Sequence, residues 1–184
     1  MEWDVQHHAD DVPLMRIVHD PIPTDALVVE RRAVRALISQ GPRYLLFHSQ
    51  VGGDVKFPGG GVHPGEDPEH ALIREVLEEC GRRVVSSSPA VLRVVEVRAA
   101  REAGQMFASS STYHPCVIDS WVGGLRLDDY ERDLGFTPIW MELDAAIGIN
   151  DEVLAGGSAQ TWVARETHVM RWLRGTAPAH DPTR

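Results

Sequence analysis

Cysteine and lysine are both scarce in this chain. Of its 184 residues only Cys80 and Cys116 carry thiols, and Lys56 is the one lysine. Two cysteines exclude a disulfide framework and fit a reducing compartment. Long apolar runs are missing too, since no stretch approaches the roughly 20 residues that a bilayer-spanning helix needs. The start, Met1-Glu2-Trp3-Asp4, lacks the basic and apolar regions of a signal peptide, so a cytoplasmic protein with no membrane partner is expected. Basic charge is also short, with 18 Lys and Arg against 27 Asp and Glu and a net charge of -9. Binding a phosphate backbone relies on basic surface, so a nucleic-acid polymer is not an expected partner. A small anion gripped through a metal remains compatible with that charge. The chain also has no internal repeat and no low-complexity segment, and 43% hydrophobic residues suffice for a real core.

What the chain does have is a concentrated acidic segment. Gly60-Gly61-Val62-His63-Pro64-Gly65-Glu66 precedes Arg74-Glu75-Val76-Leu77-Glu78-Glu79-Cys80-Gly81. Asp67 has the short acceptor side chain preferred at an N-cap, Pro68 suits the first helical position, and Gly81 suits the left-handed residue that ends a helix. A helix is therefore expected between them. At about 100° per residue, Glu75, Glu78 and Glu79 share one arc, while Leu72, Ile73, Val76, Leu77 and Cys80 cover the opposite, packing side. Glutamates at i,i+3 and i,i+4 repel by about 0.2–0.5 kcal/mol per pair, and the dipole at the last turn costs Glu78 and Glu79 about 0.3–1 kcal/mol each. Arg74, Arg82 and Arg83 offset part of this. A bound divalent cation would reverse the sign of the whole cluster. The plainer alternative is an amphipathic helix whose glutamates are solvated.

Gly60, five residues, Glu66, seven residues, then Arg74-Glu75-Val76-x-Glu78-Glu79-x-Gly81 resembles the Nudix box, the signature of the Nudix hydrolases. One position departs from the pattern: Arg82 stands where the family has an apolar residue, which bears on packing of the helix end. Looser likeness extends from about Arg31 to Asn150. Phe57-Pro58-Gly59-Gly60-Gly61 resembles the family's entry from strand to loop. Leu134-Gly135-Phe136-Thr137-Pro138-Ile139-Trp140, with Leu143-Asp144-Ala145-Ala146-Ile147 after it, resembles the last strand and helix.

The resemblance implies an α/β (α+β) fold, a Nudix-like α/β/α sandwich with a mixed β-sheet between helices, spanning residues 26–175 after an N-terminal extension (1–25) and before a short tail (176–184). It implies a Mg2+ cofactor, with Mn2+ as a substitute, and cleavage of a phosphoanhydride bond. Magnesium takes oxygen ligands and bridges carboxylates to substrate phosphates; Glu75, Glu78 and Glu79 supply the carboxylates, and by resemblance a carbonyl of the glycine bend, that of Gly59, joins them. Arg74 orients a glutamate, and Glu66 ties the bend to the helix or holds a metal-bound water. The general base is Glu79 or Glu75, or an acidic residue outside the box. Glu131, in the stretch Asp128 to Asp133, is the outside candidate, and that stretch also reads as a solvated acidic turn. Gly60 and Gly61 let the backbone approach a diphosphate. His63 touches substrate, and Lys56, opposite Val55 and Phe57 on a strand, reaches a substrate phosphate or stays in solvent.

Elsewhere the pattern gives a strand at Leu14 to His19 within the extension. A hairpin from Ala33 turns at Gln40-Gly41-Pro42 into Tyr44 to His48, and Val55 to Phe57 leads into the bend. Val91 to Arg98 and Tyr113 to Val122 read as strands around a loop at Ala99 to Gly104. Phe136 to Met141 reads as a strand, and helices are expected from Leu143 and over Thr161 to Arg174. In the last helix Trp162, Met170, Trp172 and Leu173 are expected on the core or across a homodimer. Both cysteines read as packing residues, and the adjacent pair His7 and His8 as solvated surface. The expected substrate is a small nucleotide, either a nucleoside diphosphate linked to another group or a nucleotide triphosphate. Two other readings stand beside this one. A sensor that binds ADP-ribose or a nucleotide without cleaving it usually carries an eroded box and a DNA-binding extension. An isopentenyl diphosphate isomerase would need a cysteine in the pocket.

Overall fold

The computed structural model describes residues 2–6, 12–21, 27–100, 105–157 and 160–176, with side chains from residue 12 onward. His7 and His8, most of the loop expected at 99–104, and the tail from residue 177 lie outside these. In chain order the elements are β1 (Glu2–Gln6), β2 (Leu14–Val18), β3 (Leu27–Leu37), β4 (Ser39–Gln40), β5 (Arg43–Ser49), β6 (Val55–Lys56) and α1 (Pro68–Cys80). There follow β7 (Val84–Ser87), β8 (Leu92–Ala99), β9 (Gln105–Ile118), α2 (Asp129–Asp133), β10 (Phe136–Glu142), α3 (Leu143–Ala155) and α4 (Thr161–Thr176). They form two units, one of Met1–Ile38 with Pro58–Leu127 and one of Ser39–Phe57 with Asp128–Arg184.

The first unit is a mixed sheet in the order β1-β2-β8-β9-β3, with β7 on β9. β2 and β8 run parallel, as do β3 and β9, while β8 and β9 are antiparallel. Alternation builds its core: Met15 and Ile17 on β2, Leu92 and Val94 on β8, and Ser111 and Tyr113 on β9 are all buried. β3 changes character along its length. Residues 27–32 are exposed, whereas Ala33, Val34, Ala36, Leu37 and the following Ile38 are buried. A strand covered on both faces loses its polar alternation, and α1 packs on that buried half.

In the second unit the hairpin β4–β5 turns at Gly41, whose φ of 58° suits glycine. β10 and β6 each pair antiparallel with β5. β6 is only two residues long, and side chains stand in for the strand it lacks. Asn150 on α3 accepts from the Val55 N–H at 2.8 Å and donates to the Val55 carbonyl at 3.0 Å, and Glu166 on α4 accepts from the Phe57 N–H at 3.2 Å. Buried backbone groups need such partners. Glu166 is itself paired with buried Arg165 at 3.0 Å, and Trp162 donates its indole N–H to the buried Asp54 at 2.8 Å. Met170 and Leu173 are buried, so the apolar residues that suggested a dimer surface on this helix are largely used inside the protein.

The mixed α/β class read from the sequence is what the chain forms, and most strands and helices fall where expected. Three expectations need correction. β3 is not the first arm of a hairpin with β5; it pairs in parallel with β9, a distant partner that local pattern cannot reveal. β9 starts at Gln105, eight residues before the expected Tyr113, because its first half is a serine-rich run of low β-propensity held by neighbours on both sides. The acidic stretch after Asp128 is not a solvated turn but a short helix with Glu131 buried.

Candidate active site

The helix that carries the acidic segment is closed at both ends as its sequence requires. Asp67 accepts from the Glu69 N–H at 2.8 Å, Pro68 opens α1, and Gly81 takes φ 60° and donates back to the Leu77 carbonyl at 3.0 Å. The packing face differs from the expected one. Leu72, Val76 and Cys80 are buried, but Ile73 is 37% exposed and Glu79 only 1% exposed. Glu79 follows Leu72 by seven residues, about 20° short of two full turns, so it sits on the edge of the apolar face. Packing then carries it inside.

Before α1, the chain from Pro58 to Val62 runs along β3 as if it were another strand. Ala36 N–H donates to the Pro58 carbonyl at 2.8 Å, Val34 N–H to the Gly60 carbonyl at 3.0 Å, and Val62 N–H to the Arg32 carbonyl at 3.0 Å. Gly59 makes this approach feasible. Its φ is 132°, and a Cβ there would lie 2.2 Å from the Val34 carbonyl oxygen. The Gly59 N–H donates to Glu79 Oε2 at 2.6 Å, which gives the buried carboxylate a charge-assisted bond. The Gly59 carbonyl accepts from the Arg35 guanidinium. Gly60 lies against the Glu75 carboxylate, so near that a Cβ would come within 2.5 Å of Oε1.

Arg74 gathers the rest. Its Nε and Nη2 donate to the two oxygens of Glu66 at 2.9 and 3.0 Å, a two-point bond. Nη1 donates to Glu75 at 2.8 Å and to Glu78 at 3.2 Å, and Nη2 also reaches the Gly61 carbonyl at 3.1 Å. Glu66 Oε2 accepts from the His63 N–H at 2.9 Å. The Arg74 hydrogen bonds, then the His63 N–H, hold the Glu66 carboxyl far below its usual range, at about 2. The Glu66 bond likewise raises the Arg74 pKa. The bend and the helix are thus one hydrogen-bonded piece, with Glu66 joining them.

The structure therefore brings together Glu66, Arg74, Glu75, Glu78, Glu79, Gly59, Gly60 and Gly61. The His63 side chain is 68% exposed beside them. Lys56 and Glu131 belong to the second unit and meet each other there. Lys56 is 4% exposed, so it is not the solvated lysine that alternation allowed. Its Nζ lies 3.4 Å from Glu131 Oε1 and 4.5 Å from the centroid of the Phe136 ring. Tyr130 OH and the Asp128 N–H also donate to Glu131, at 3.1 and 3.2 Å. Cys116, buried within β9, has its thiol pushed up to about 11 by burial and by the charge of Glu69, which suits a packing residue.

A divalent cation fits this donor set in chemistry. The carboxylates are hard oxygen donors, and Glu66, Glu75 and Glu78 share the single positive charge of Arg74, which leaves negative charge over. The side chains are not already gathered around a cation: among the described residues no group of three acidic, histidine or cysteine side chains is placed to hold one. Glu75 and Glu78 are turned onto Arg74 instead. Sequence reasoning missed Arg35, which holds the Gly59 carbonyl, and Arg31, whose guanidinium borders Gly61. The available signal was arginine recurring on a strand next to buried Ala33 and Val34.

The family model described as NUDIX domain matches residues 29–164. A comparison with the curated proteins found no match. Among solved structures, the chain is similar to a NUDIX hydrolase from Nitrosomonas europaea, with 23% identity, a TM-score of 0.50, and 79% of this chain and 90% of that one covered. It is also similar to the E. coli ORF135 protein, with 18% identity, a TM-score of 0.51, and coverage of 82% and 94%. These likenesses show the fold. With three quarters of its length matched by the family model, the chain belongs to the Nudix hydrolase family, whose general chemistry is hydrolysis of a pyrophosphate linkage.

Proposed function

We propose that this protein hydrolyses a phosphoanhydride bond in a nucleotide, either a nucleoside diphosphate linked to another group or a nucleotide triphosphate, with magnesium as cofactor. The observation that carries this reading is the joined bend and helix, in which four glutamates surround one arginine and the glycine backbone. Glu75, Glu78 and Glu79 would hold the metal, with manganese as a substitute, and the Gly59 carbonyl would join them once Arg35 yields it. The bound metal would supply charge neutralisation on the diphosphate and acidify an attacking water. Arg74 orients Glu75 and Glu78 from one guanidinium, and Glu66 fixes Arg74 in turn. Gly60 and Gly61 leave the backbone bare where a diphosphate must approach. The general base is Glu75 or Glu79. Glu131 already accepts three hydrogen bonds within its own unit, which supports a role in positioning there.

The sensor reading, in which a nucleotide is bound and not cleaved, is disfavoured by the complete set of box carboxylates. An isomerase would need a reactive cysteine, and both thiols are buried. Turnover of a panel of nucleotides with magnesium, followed by release of phosphate or monophosphate, separates these readings. Chelation should abolish turnover. Glu79→Gln keeps an acceptor for the Gly59 N–H and removes a charged ligand, so it should stay folded while turnover falls about 100-fold or more. Full turnover in that variant at saturating magnesium would overturn the metal assignment, and binding without any cleavage across the panel would favour the sensor.

A further inference from the structure

Beside the carboxylate cluster, the first unit holds an open cavity of about 590 Å3 between residues 30–32 of β3 and the loop of residues 62–68 that enters α1. Two of its acids are already engaged, Glu66 by Arg74 and the His63 N–H, and Asp67 by the cap of α1. Its guanidiniums are not: among the described residues neither Arg31 nor Arg32 has an ion-pair partner. Glu30 and Asp67, whose cap partner is an uncharged backbone N–H, are the lining carboxylates that face them, whereas Glu66 is matched by Arg74. The Arg31 guanidinium lies so near Gly61 that a Cβ there would be 2.8 Å from Nη2, while the Gly61 carbonyl accepts from Arg74 at 3.1 Å. Arg31 and Arg74 therefore flank one glycine, Arg74 on the side of the carboxylates and Arg31 at the cavity.

We infer that this cavity receives the third phosphate of a nucleoside triphosphate, and that Arg31 selects for it. The inference rests on the proposed pyrophosphohydrolase reading and narrows its substrates to triphosphates over nucleotides that carry two phosphates. Position supports the assignment, because the Arg31 guanidinium borders Gly61 of the glycine bend, within reach of a phosphate chain. Volume supports it too, since the cavity lies in the range of about 300–1,000 Å3 typical of small-ligand sites. A guanidinium grips a phosphate at two points. The single lysine is buried among aromatic rings of the other unit, so the cations that line this cavity are arginines.

The test is calorimetric titration with a nucleoside triphosphate and the matching diphosphate, both carrying methylene bridges in place of the anhydride oxygens, at one magnesium concentration and one ionic strength. The wild-type protein should prefer the triphosphate by about tenfold, the worth of one charge-assisted two-point bond. Arg31→Ala should reduce that preference to about twofold or less, and Arg31→Lys should recover only part of it. Arg16→Ala, which removes an exposed guanidinium on β2, three strands from β3 in the sheet, should keep the preference and so exclude a general charge effect. No preference in the wild type, a preference surviving in Arg31→Ala, or an equal loss in Arg16→Ala would each overturn the inference. Because the readout is binding, a protein that shows the Arg31-dependent preference but cleaves nothing would refute the proposed reaction and leave this assignment standing.

Discussion

Gly59→Ala and Gly60→Ala add the same methyl group to neighbouring positions, yet they should fail in different ways. At Gly59 the backbone φ of 132° is one that side-chain-bearing residues rarely adopt, and the new Cβ would lie 2.2 Å from the Val34 carbonyl oxygen and 3.0 Å from Arg35 Cα. Both are backbone atoms of β3, so neither can swing aside. Relief requires the bend to lift from β3, which breaks the Ala36-to-Pro58 and Val34-to-Gly60 bonds of 2.8 and 3.0 Å. Backbone strain of about 1–3 kcal/mol, with about 0.5–1.5 kcal/mol for each of the two bonds, gives a cost of about 2–6 kcal/mol. At Gly60 the backbone makes no such demand, and the three atoms nearest the methyl all belong to the Glu75 carboxylate, at 2.5–2.7 Å. A side-chain end can move. An off-rotamer Glu75 costs about 0.5–1.5 kcal/mol, and the lower entropy of the unfolded chain returns about 0.4–1 kcal/mol, so stability should change by no more than about 1 kcal/mol. Turnover should nonetheless fall about 100-fold, because Glu75 is pushed out of the site. Denaturant titration read beside nucleotide hydrolysis separates the two: Gly59→Ala should lose stability and activity together, and Gly60→Ala activity alone. A fully active Gly60→Ala enzyme would refute the placing of Glu75 at the reacting diphosphate, and a Gly59→Ala protein as stable as wild type would refute the account of the bend.

Two further outcomes are expected. The Glu66 carboxyl is held at about 2, below its ordinary 4.5, so its charged form is favoured by the fold; its contribution is complete above about pH 4.5 and is lost as pH falls toward 2. Urea titrations across pH should therefore show a stability gap between wild type and Glu66→Gln that is flat from pH 5 to 8 and closes in acid, and a gap independent of pH would contradict the clamp. In the second unit, Lys56→Met leaves the buried Glu131 without its cation and should cost about 3–5 kcal/mol, whereas Lys56→Met with Glu131→Leu removes both charges and should recover most of that loss. Thermal melts check this, and a double variant no more stable than the single one would show that the pair is not coupled.

The parts of the site that were legible in the sequence are those fixed by short-range rules. Asp67, Pro68 and Gly81 bound α1 because capping depends on neighbours a few residues away, and the spacing of Glu66 from Arg74 sets up the two-point bond between them. What the sequence could not show depends on partners far along the chain. Glu79 lies at the boundary of the helix's two faces, and only packing decides which side it joins. Lys56 was legible as a strand residue, but its burial is set by Phe47, Phe136 and Glu131, which come from other elements. Arg35 acts on Gly59 across a strand-like pairing with no local signature.

The charge balance around Arg74 explains how such an acidic site can fold before any ligand arrives. Three carboxylates within reach of one another would drive the helix and bend apart, but Arg74 presents its donors to all three and to the Gly61 carbonyl at once. A lysine, with a point charge and no planar fork, could not hold Glu66 at two oxygens while reaching Glu75 and Glu78. One guanidinium is enough to assemble the cluster and too little to neutralise it. Glu66 meets Arg74 with both of its oxygens, whereas Glu75 and Glu78 each meet it with a single oxygen. Under the proposed function, the division between holding the fold together and doing chemistry would fall between carboxylates that share one arginine, set by how many of each one's oxygens that arginine takes.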